Sequence, residues 1–205
     1  MTIPADESHP DCCFVEDTAV VIGGRALATR PGHPSRRGEV APVAVALEEW
    51  LLVERMAGSG TLDGGDVLQV GGVVYVGRSS RTDAGGIEAL ARFAAPRPVV
   101  TVPVSGMLHL RSAASPLDEA TVLVEEGRLD PTVFTGVRVV TIPGDGGHGA
   151  NVLRLADGRI LAPEGRPRLA EEVAGAGFEV VTVDVSEFAR ADGGLTCLSI
   201  RQRAG

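Results

Sequence analysis

Six short stretches of the chain gather polar residues that can do chemistry. They are Asp11 with Glu16-Asp17; Ser35-Arg36-Arg37; Leu62-Asp63-Gly64-Gly65-Asp66; Ser79-Ser80-Arg81-Thr82; Leu108-His109-Leu110-Arg111-Ser112; and Asp192-Gly193-Gly194-Leu195-Thr196-Cys197. Cys197 follows two glycines that can bend the backbone and present the thiol at a strand start, although a lone cysteine also serves as a small core hydrophobe. His109 stands between two leucines, so in an extended chain its ring faces away from both. It reads either as an acid/base or as a satisfied structural histidine. Glu16 and Asp17 interrupt the apolar run FVEDTAVVI. On a strand they would point to opposite faces, leaving one buried carboxylate in need of a partner; the alternative is a solvated pair at a strand end. Arg36 and Arg81 each follow a serine at a helix start and can clamp a carboxylate in bidentate fashion, or lie on the surface.

The elements that must carry these residues are short. Residues 14–29 read as two strands around Gly23-Gly24-Arg25. A helix is expected from Ser35 to about Met56, with Val40, Val43, Ala44, Leu47, Leu51 and Leu52 at helical spacing and Pro42 in its first two turns. Residues 66–70 and 73–76 form a hairpin around Gly71-Gly72, followed by a helix over 82–94 and a strand over 98–104. Further strands are expected near 111–114, 120–124 and 137–142. A hairpin of 151–155 with 159–161, a helix over 167–174, a strand over 178–183 and a last strand over 195–201 complete the pattern. The segment 124–137 is too short and proline-containing for a full helix. A strand-strand-helix-strand unit thus recurs three or four times, and such repeats point to radial or stacked assembly.

Composition narrows the function. With 205 residues and 44% hydrophobic content the chain suits one domain with a real core, built from aliphatic side chains because aromatics are only 3%. A net charge of −8 argues against nucleic-acid binding and is compatible with a cationic substrate. No apolar run reaches the roughly 20 residues of a membrane span. The N-terminus lacks a signal-peptide pattern, and three cysteines, two of them adjacent, make no disulfide framework. A cytoplasmic protein is the expectation, with residues 1–10 as a disordered tail before a single domain over 11–205.

Taken together, FVEDTAVV, TRPGHPSRR, LDGGDV, GRSSRT, PVSGMLHLRS and DGGLTC resemble the dimethylarginine dimethylaminohydrolase family of the amidinotransferase and arginine deiminase superfamily. The match runs from Asp11 to Arg201 in the family's order. The resemblance implies an α/β fold: a five-fold pseudosymmetric α/β propeller (pentein) of ββαβ units with its site in the central channel. It implies Cys197 as nucleophile on the guanidinium carbon, His109 as acid/base and Asp63 as its orienting partner. Glu16 and Asp17, with Asp63, would hold the guanidinium. Arg36 and Arg81 would bind the substrate α-carboxylate and Asp11 the α-amino group, while Asp192 would line the pocket. No metal or other cofactor is required; zinc on Cys197 and His109 would inhibit. The expected partner is a small-molecule substrate, with no nucleic acid and no membrane; a homodimer is the one protein partner considered. Arginine deiminase, an amidinotransferase, or a degenerate arginine-binding relative without catalysis are the alternatives. Family members begin well before the Asp-Cys motif, whereas Met1 is ten residues before Asp11. The first blade and a covering lid are therefore expected to be incomplete.

Overall fold

The computed structural model describes residues 1–144 and 149–202. Its strands form four three-stranded sheets, each built the same way. The first holds β1 (Ala19–Ile22), β2 (Arg25–Ala28) and β3 (Leu52–Arg55). The second holds β4 (Val67–Val70), β5 (Val73–Arg78) and β6 (Val99–Pro103). The third holds β7 (Ala114–Pro116), β8 (Thr121–Glu125) and β9 (Arg138–Ile142). The fourth holds β10 (Leu153–Arg154), β11 (Ile160–Pro163) and β12 (Val180–Val183). In each, the first two strands pair antiparallel across a tight turn and the third returns parallel to the second.

Local chemistry sets this unit. Gly23-Gly24 and Gly71-Gly72 all have positive φ, from 57° to 79°, the backbone that two-residue hairpin turns demand. A parallel third strand needs a long crossover. Helices α1 (Val40–Leu47), α2 (Ala84–Ala94) and α3 (Pro167–Gly175) supply it in the first, second and fourth sheets. The Asp83 carboxylate caps α2 by accepting from the Gly86 amide at 2.8 Å, a contact worth ~1 kcal/mol. The third crossover carries only a 3-10 turn, Pro131–Val133, as its length foretold.

Three expectations are corrected. The helix expected over 35–56 is a 3-10 turn (Pro34–Glu39) followed by α1, which stops at Leu47. Leu52, which fits the helical spacing, instead opens β3 because its backbone pairs with β2. Residues 111–114 are not a strand throughout: a 3-10 turn, Leu110–Ser112, precedes β7. The last expected strand, 195–201, is a 3-10 turn at Thr196–Leu198. Ile3 packs on a buried cluster with Val43 and Leu47.

The core lies between sheets rather than within one. Leu68 and Tyr75 of the second sheet pack with Val122 and Val124 of the third. Val20 and Leu27 of the first pack with Val74, Val76 and Leu90 of the second unit. Leu123 and Val140 of the third pack with Ile160 and Leu169 of the fourth. Each sheet leans on the next, which turns a linear repeat into a ring segment. The sheet that opens at Ala19 is complete, and four sheets are present among the described residues.

Candidate active site

Short 3-10 turns converge at one end of the sheets: Val15–Thr18 before β1, Gly64–Asp66 before β4, Leu110–Ser112 before β7, and Thr196–Leu198. A cavity of about 180 Å³ lies where they meet. Cys197, His109, Asp11, Glu16, Asp17, Arg36, Arg81 and Asp192 all line it. Asp63 does not; it is fully buried behind His109.

His109 Nε2 lies 2.9 Å from Asp63 Oδ2 and 3.7 Å from Asp17 Oδ1. Burial by itself would push the imidazole pKa down. The charge of Asp17, the hydrogen bond to Asp63 and the charges of Asp66 and Asp63 outweigh it and raise it to about 9. The ring is therefore an imidazolium at neutral pH, a proton donor ready for a leaving amine. Asp66 fixes the same loop: its carboxylate accepts from the Leu110 amide, the Ser79 hydroxyl and the Thr82 hydroxyl at 2.6–2.9 Å.

Cys197 is a resting thiol. Burial, then the nearby Glu16 charge, push its pKa up to about 12, and the Gly194 amide that donates to Sγ at 3.4 Å opposes this only weakly. Without a cation in the cavity the thiolate is scarce.

Glu16 and Asp17 lie in a turn rather than on a strand, and both are buried. Strand alternation does not apply to them, and both carboxylates line the cavity. Glu16 accepts from the Thr196 hydroxyl at 2.7 Å and lies 3.3 Å from Arg111 Nη1. Burial pushes its pKa up, with Arg111 opposing. Asp17 accepts from the Gly65 amide at 2.9 Å and from Arg36. Gly64 makes this close approach workable, since a Cβ there would run into the Glu16 carbonyl oxygen. Gly64→Ala is expected to destabilise the protein by ~2 kcal/mol and to weaken turnover with it, measured by denaturant unfolding and initial rates.

The two arginines are not equivalent. Arg36 is buried, with Nε and Nη2 donating to Glu39, Nη2 also to the Phe14 carbonyl, and Nη1 to Asp17. Most of its fork is engaged by protein acceptors. Arg81 is 22% exposed and its Nη1 has no hydrogen-bond partner among the described residues, the nearest carboxylate among them being Asp63 at 3.7 Å. It is the arginine with a donor to offer. Asp192 adopts a left-handed backbone, φ 56°, alone among the described non-glycine residues. Next to it, Gly193 lies against the Phe14 ring, and Phe14 in turn stacks edge-on to Phe188 at 6.5 Å.

Sequence reasoning assigned no role to Arg111, Asn151, Thr196 or Phe14, all at or beside the cavity. Arg111 and Thr196 fell inside stretches already singled out; Asn151 and Phe14 lie in apolar runs and carried no comparable signal. Asp17, Asp63 and His109 bring ligand-type atoms within 4.8 Å of one another. An imidazolium cannot ligate a cation, so the three groups satisfy each other as an ion cluster.

The fold and these turns define the class. The N-terminal domain of ArgZ, an arginine dihydrolase from cyanobacteria, superposes with a TM-score of 0.87 over 97% of the chain and 78% of that structure at 21% identity, which places the fold among the penteins. A dimethylarginine dimethylaminohydrolase mutant from Pseudomonas aeruginosa, complexed with citrulline, superposes with a TM-score of 0.87 at 32% identity over 94% of the chain and 77% of that structure. The N(G),N(G)-dimethylarginine dimethylaminohydrolase of Streptomyces coelicolor is 43% identical over 204 residues, covering 98% of this chain and 77% of that protein. The chain belongs to the dimethylarginine dimethylaminohydrolase family. No family model matches it.

Proposed function

We propose that the protein hydrolyses asymmetric dimethylarginine to citrulline and dimethylamine through a covalent Cys197 intermediate. The observation that carries this reading is one cavity lined by a thiol, an imidazolium and two buried carboxylates, with Arg81 holding an unspent donor. Glu16 and Asp17 accept from the guanidinium N–H groups, since a carboxylate has room for more bonds than those now made. Arg81 takes the α-carboxylate. Arg36 holds Asp17 and adds positive charge to that wall, and Asp11 receives the α-amino group. Asp192 closes the side next to the nucleophile.

A guanidinium is a poor, resonance-stabilised electrophile and needs a soft nucleophile. Its own positive charge lowers the Cys197 pKa when it enters, so thiolate forms where it is needed. Sulfur attacks the central carbon, His109 protonates the dimethylamine, and the carbon–nitrogen bond breaks to leave a thiouronium. Neutral His109 then takes a proton from water, hydroxide adds, and collapse expels the thiolate and releases citrulline. The hydroxyl proton lost in the collapse balances the one the thiol gave up to solvent when substrate entered, so the thiolate returns to the resting thiol as citrulline leaves and His109 is again an imidazolium.

No single sheet carries the whole set, which supports treating 11–205 as one domain. Three unpaired cysteines fit a cytoplasmic setting, and among the described residues no helix is long and apolar enough to cross a membrane. The large apolar side chains left outside, Val45, Trp50 and Leu52, favour a homodimer.

The test is kinetic. Release of dimethylamine from asymmetric dimethylarginine is expected to exceed ammonia release from arginine in kcat/KM, and faster turnover of plain arginine would overturn the substrate assignment. Arg81→Ala is expected to raise KM about a hundredfold, as loss of a charge-assisted contact does. A decarboxylated analogue should be indifferent to the same substitution.

A further inference from the structure

Asp17, Asp63, His109 and Cys197 each sit in, or at the N-cap of, one of the 3-10 turns that meet at the cavity. From Asp17 to Asp63 and from Asp63 to His109 the step is 46 residues. From His109 to Cys197 it is nearly twice that. The intermediate position is Asn151, 42 residues after His109 and 46 before Cys197. It precedes β10 as Asp17, Asp63 and His109 precede β1, β4 and β7, and it lines the same cavity.

Asn151 is 1% exposed and its amide is saturated at close quarters. Nδ2 donates to Thr196 Oγ1 at 3.0 Å and to the Arg111 carbonyl at 3.1 Å, while Oδ1 accepts from the Thr196 amide at 3.1 Å. Thr196 is the neighbour of Cys197, and its hydroxyl donates a hydrogen bond to Glu16 at 2.7 Å. A Cβ on Gly194 would come within 2.6 Å of the Asn151 side chain, so the nucleophile loop is seated directly on the amide. The position asks for a donor pair and an acceptor in one plane, which only an uncharged carboxamide provides. Aspartate would lose both donors and add a charge beside buried Glu16.

We infer that Asn151 is the fifth member of this pseudosymmetric ring and a positioning residue, which locks the Cys197 turn to the Glu16 and Arg111 turns so that sulfur faces the guanidinium carbon. This rests on the proposed reaction. Misplacing a reacting atom by about 1 Å costs up to 10²-fold in rate.

Asn151→Ala, Asn151→Asp and Thr196→Val are to be compared with wild type in three measurements. These are kcat and KM on asymmetric dimethylarginine, the melting temperature, and the alkylation rates of Cys197 by 2-chloroacetamidine and by iodoacetamide. The Asn151 variants are expected to lose roughly tenfold to a hundredfold in kcat with KM within about threefold, and Thr196→Val part of that. Alkylation by the amidine, which must sit on the carboxylates, falls in parallel, whereas alkylation by neutral iodoacetamide does not. An unchanged kcat, a change in KM alone, or equal slowing by both reagents with a lowered melting temperature would overturn the assignment. A wild type that releases no dimethylamine overturns the reaction instead. The ratio of the two alkylation rates then decides Asn151 alone, and an unchanged ratio in Asn151→Ala defeats it.

Discussion

Cys197→Ala is expected to abolish dimethylamine release, by roughly 10⁴-fold or more, while leaving substrate binding measurable. The size of the effect follows from the chemistry. Nothing else in the cavity is a soft nucleophile, and water does not attack a guanidinium at a useful rate. The same residue should show conditional reactivity. Its pKa of about 12 makes it sluggish toward a neutral alkylating agent at pH 7. A cationic amidine brings the charge that draws the thiolate out, so the adduct should map to Cys197 by mass spectrometry. Cys12 gains nothing from a bound cation, since its Sγ already donates to the Asp6 carbonyl and accepts from the Asp6 amide. The thiol of Cys13 is pushed up by burial and then by Cys12. Equal labelling of all three cysteines would refute activation at Cys197.

Asp63→Asn should carry the next largest loss, about 10²-fold to 10⁴-fold in kcat, with a distinct pH signature. The groups that face His109 are Asp17, Asp63 and Asp66, all acidic. Removing the charge and the hydrogen bond of Asp63 lowers the imidazole pKa, so the alkaline limb of the kcat/KM profile, expected near pH 9 in the wild type, moves to lower pH. Stability follows the same sign. A histidine whose folded pKa lies above 6.5 stabilises the fold fully below that value, and the contribution disappears as pH rises through about 9. In Asp63→Asn that window shrinks, and unfolding at pH 6 and pH 9.5 should differ less than in the wild type. An alkaline limb that stays in place would show that Asp63 does not set the protonation of His109.

How much of this could be read from the residues varies by element. Gly-Gly pairs gave the hairpins at 23–24 and 71–72, because positive φ is a demand that few residues meet. The apolar stripe of Ile87, Leu90, Ala91 and Ala94 gave α2, while its Asp83 cap is a finding of the structure. The failures cluster where backbone pairing, not side-chain spacing, decides. Leu51 and Leu52 fit a helix by period, yet β2 captures the second of them. The turns that carry Glu16, Asp17 and Cys197 are three or four residues long, too short to show any period, so these residues read as strand, whereas His109 caps its turn in the extended backbone expected of it. The catalytic motifs were legible nonetheless, because their residue types and order survive without any knowledge of the turn. What was not legible is the pairing of charges. Nothing in PSRRGE tells that Arg36 spends itself on Asp17 and Glu39, and Asn151 sits in a run that reads as plain hairpin.

The convergence of turns from separate sheets has a thermodynamic meaning. Each sheet meets its neighbours through its flanks, and a ligand in the cavity would touch the turns that open the first three and the turn that follows the fourth. Such a ligand behaves as a hub: it binds only the assembled state, so at a concentration 100 times its Kd it adds about 2.7 kcal/mol to the stability of the whole arrangement. Loss of order in any one unit, even one remote from the sulfur, removes a spoke and empties the cavity. Turnover in this protein is thereby an assay of its global integrity, and a saturating substrate is also a folding chaperone of the simplest kind.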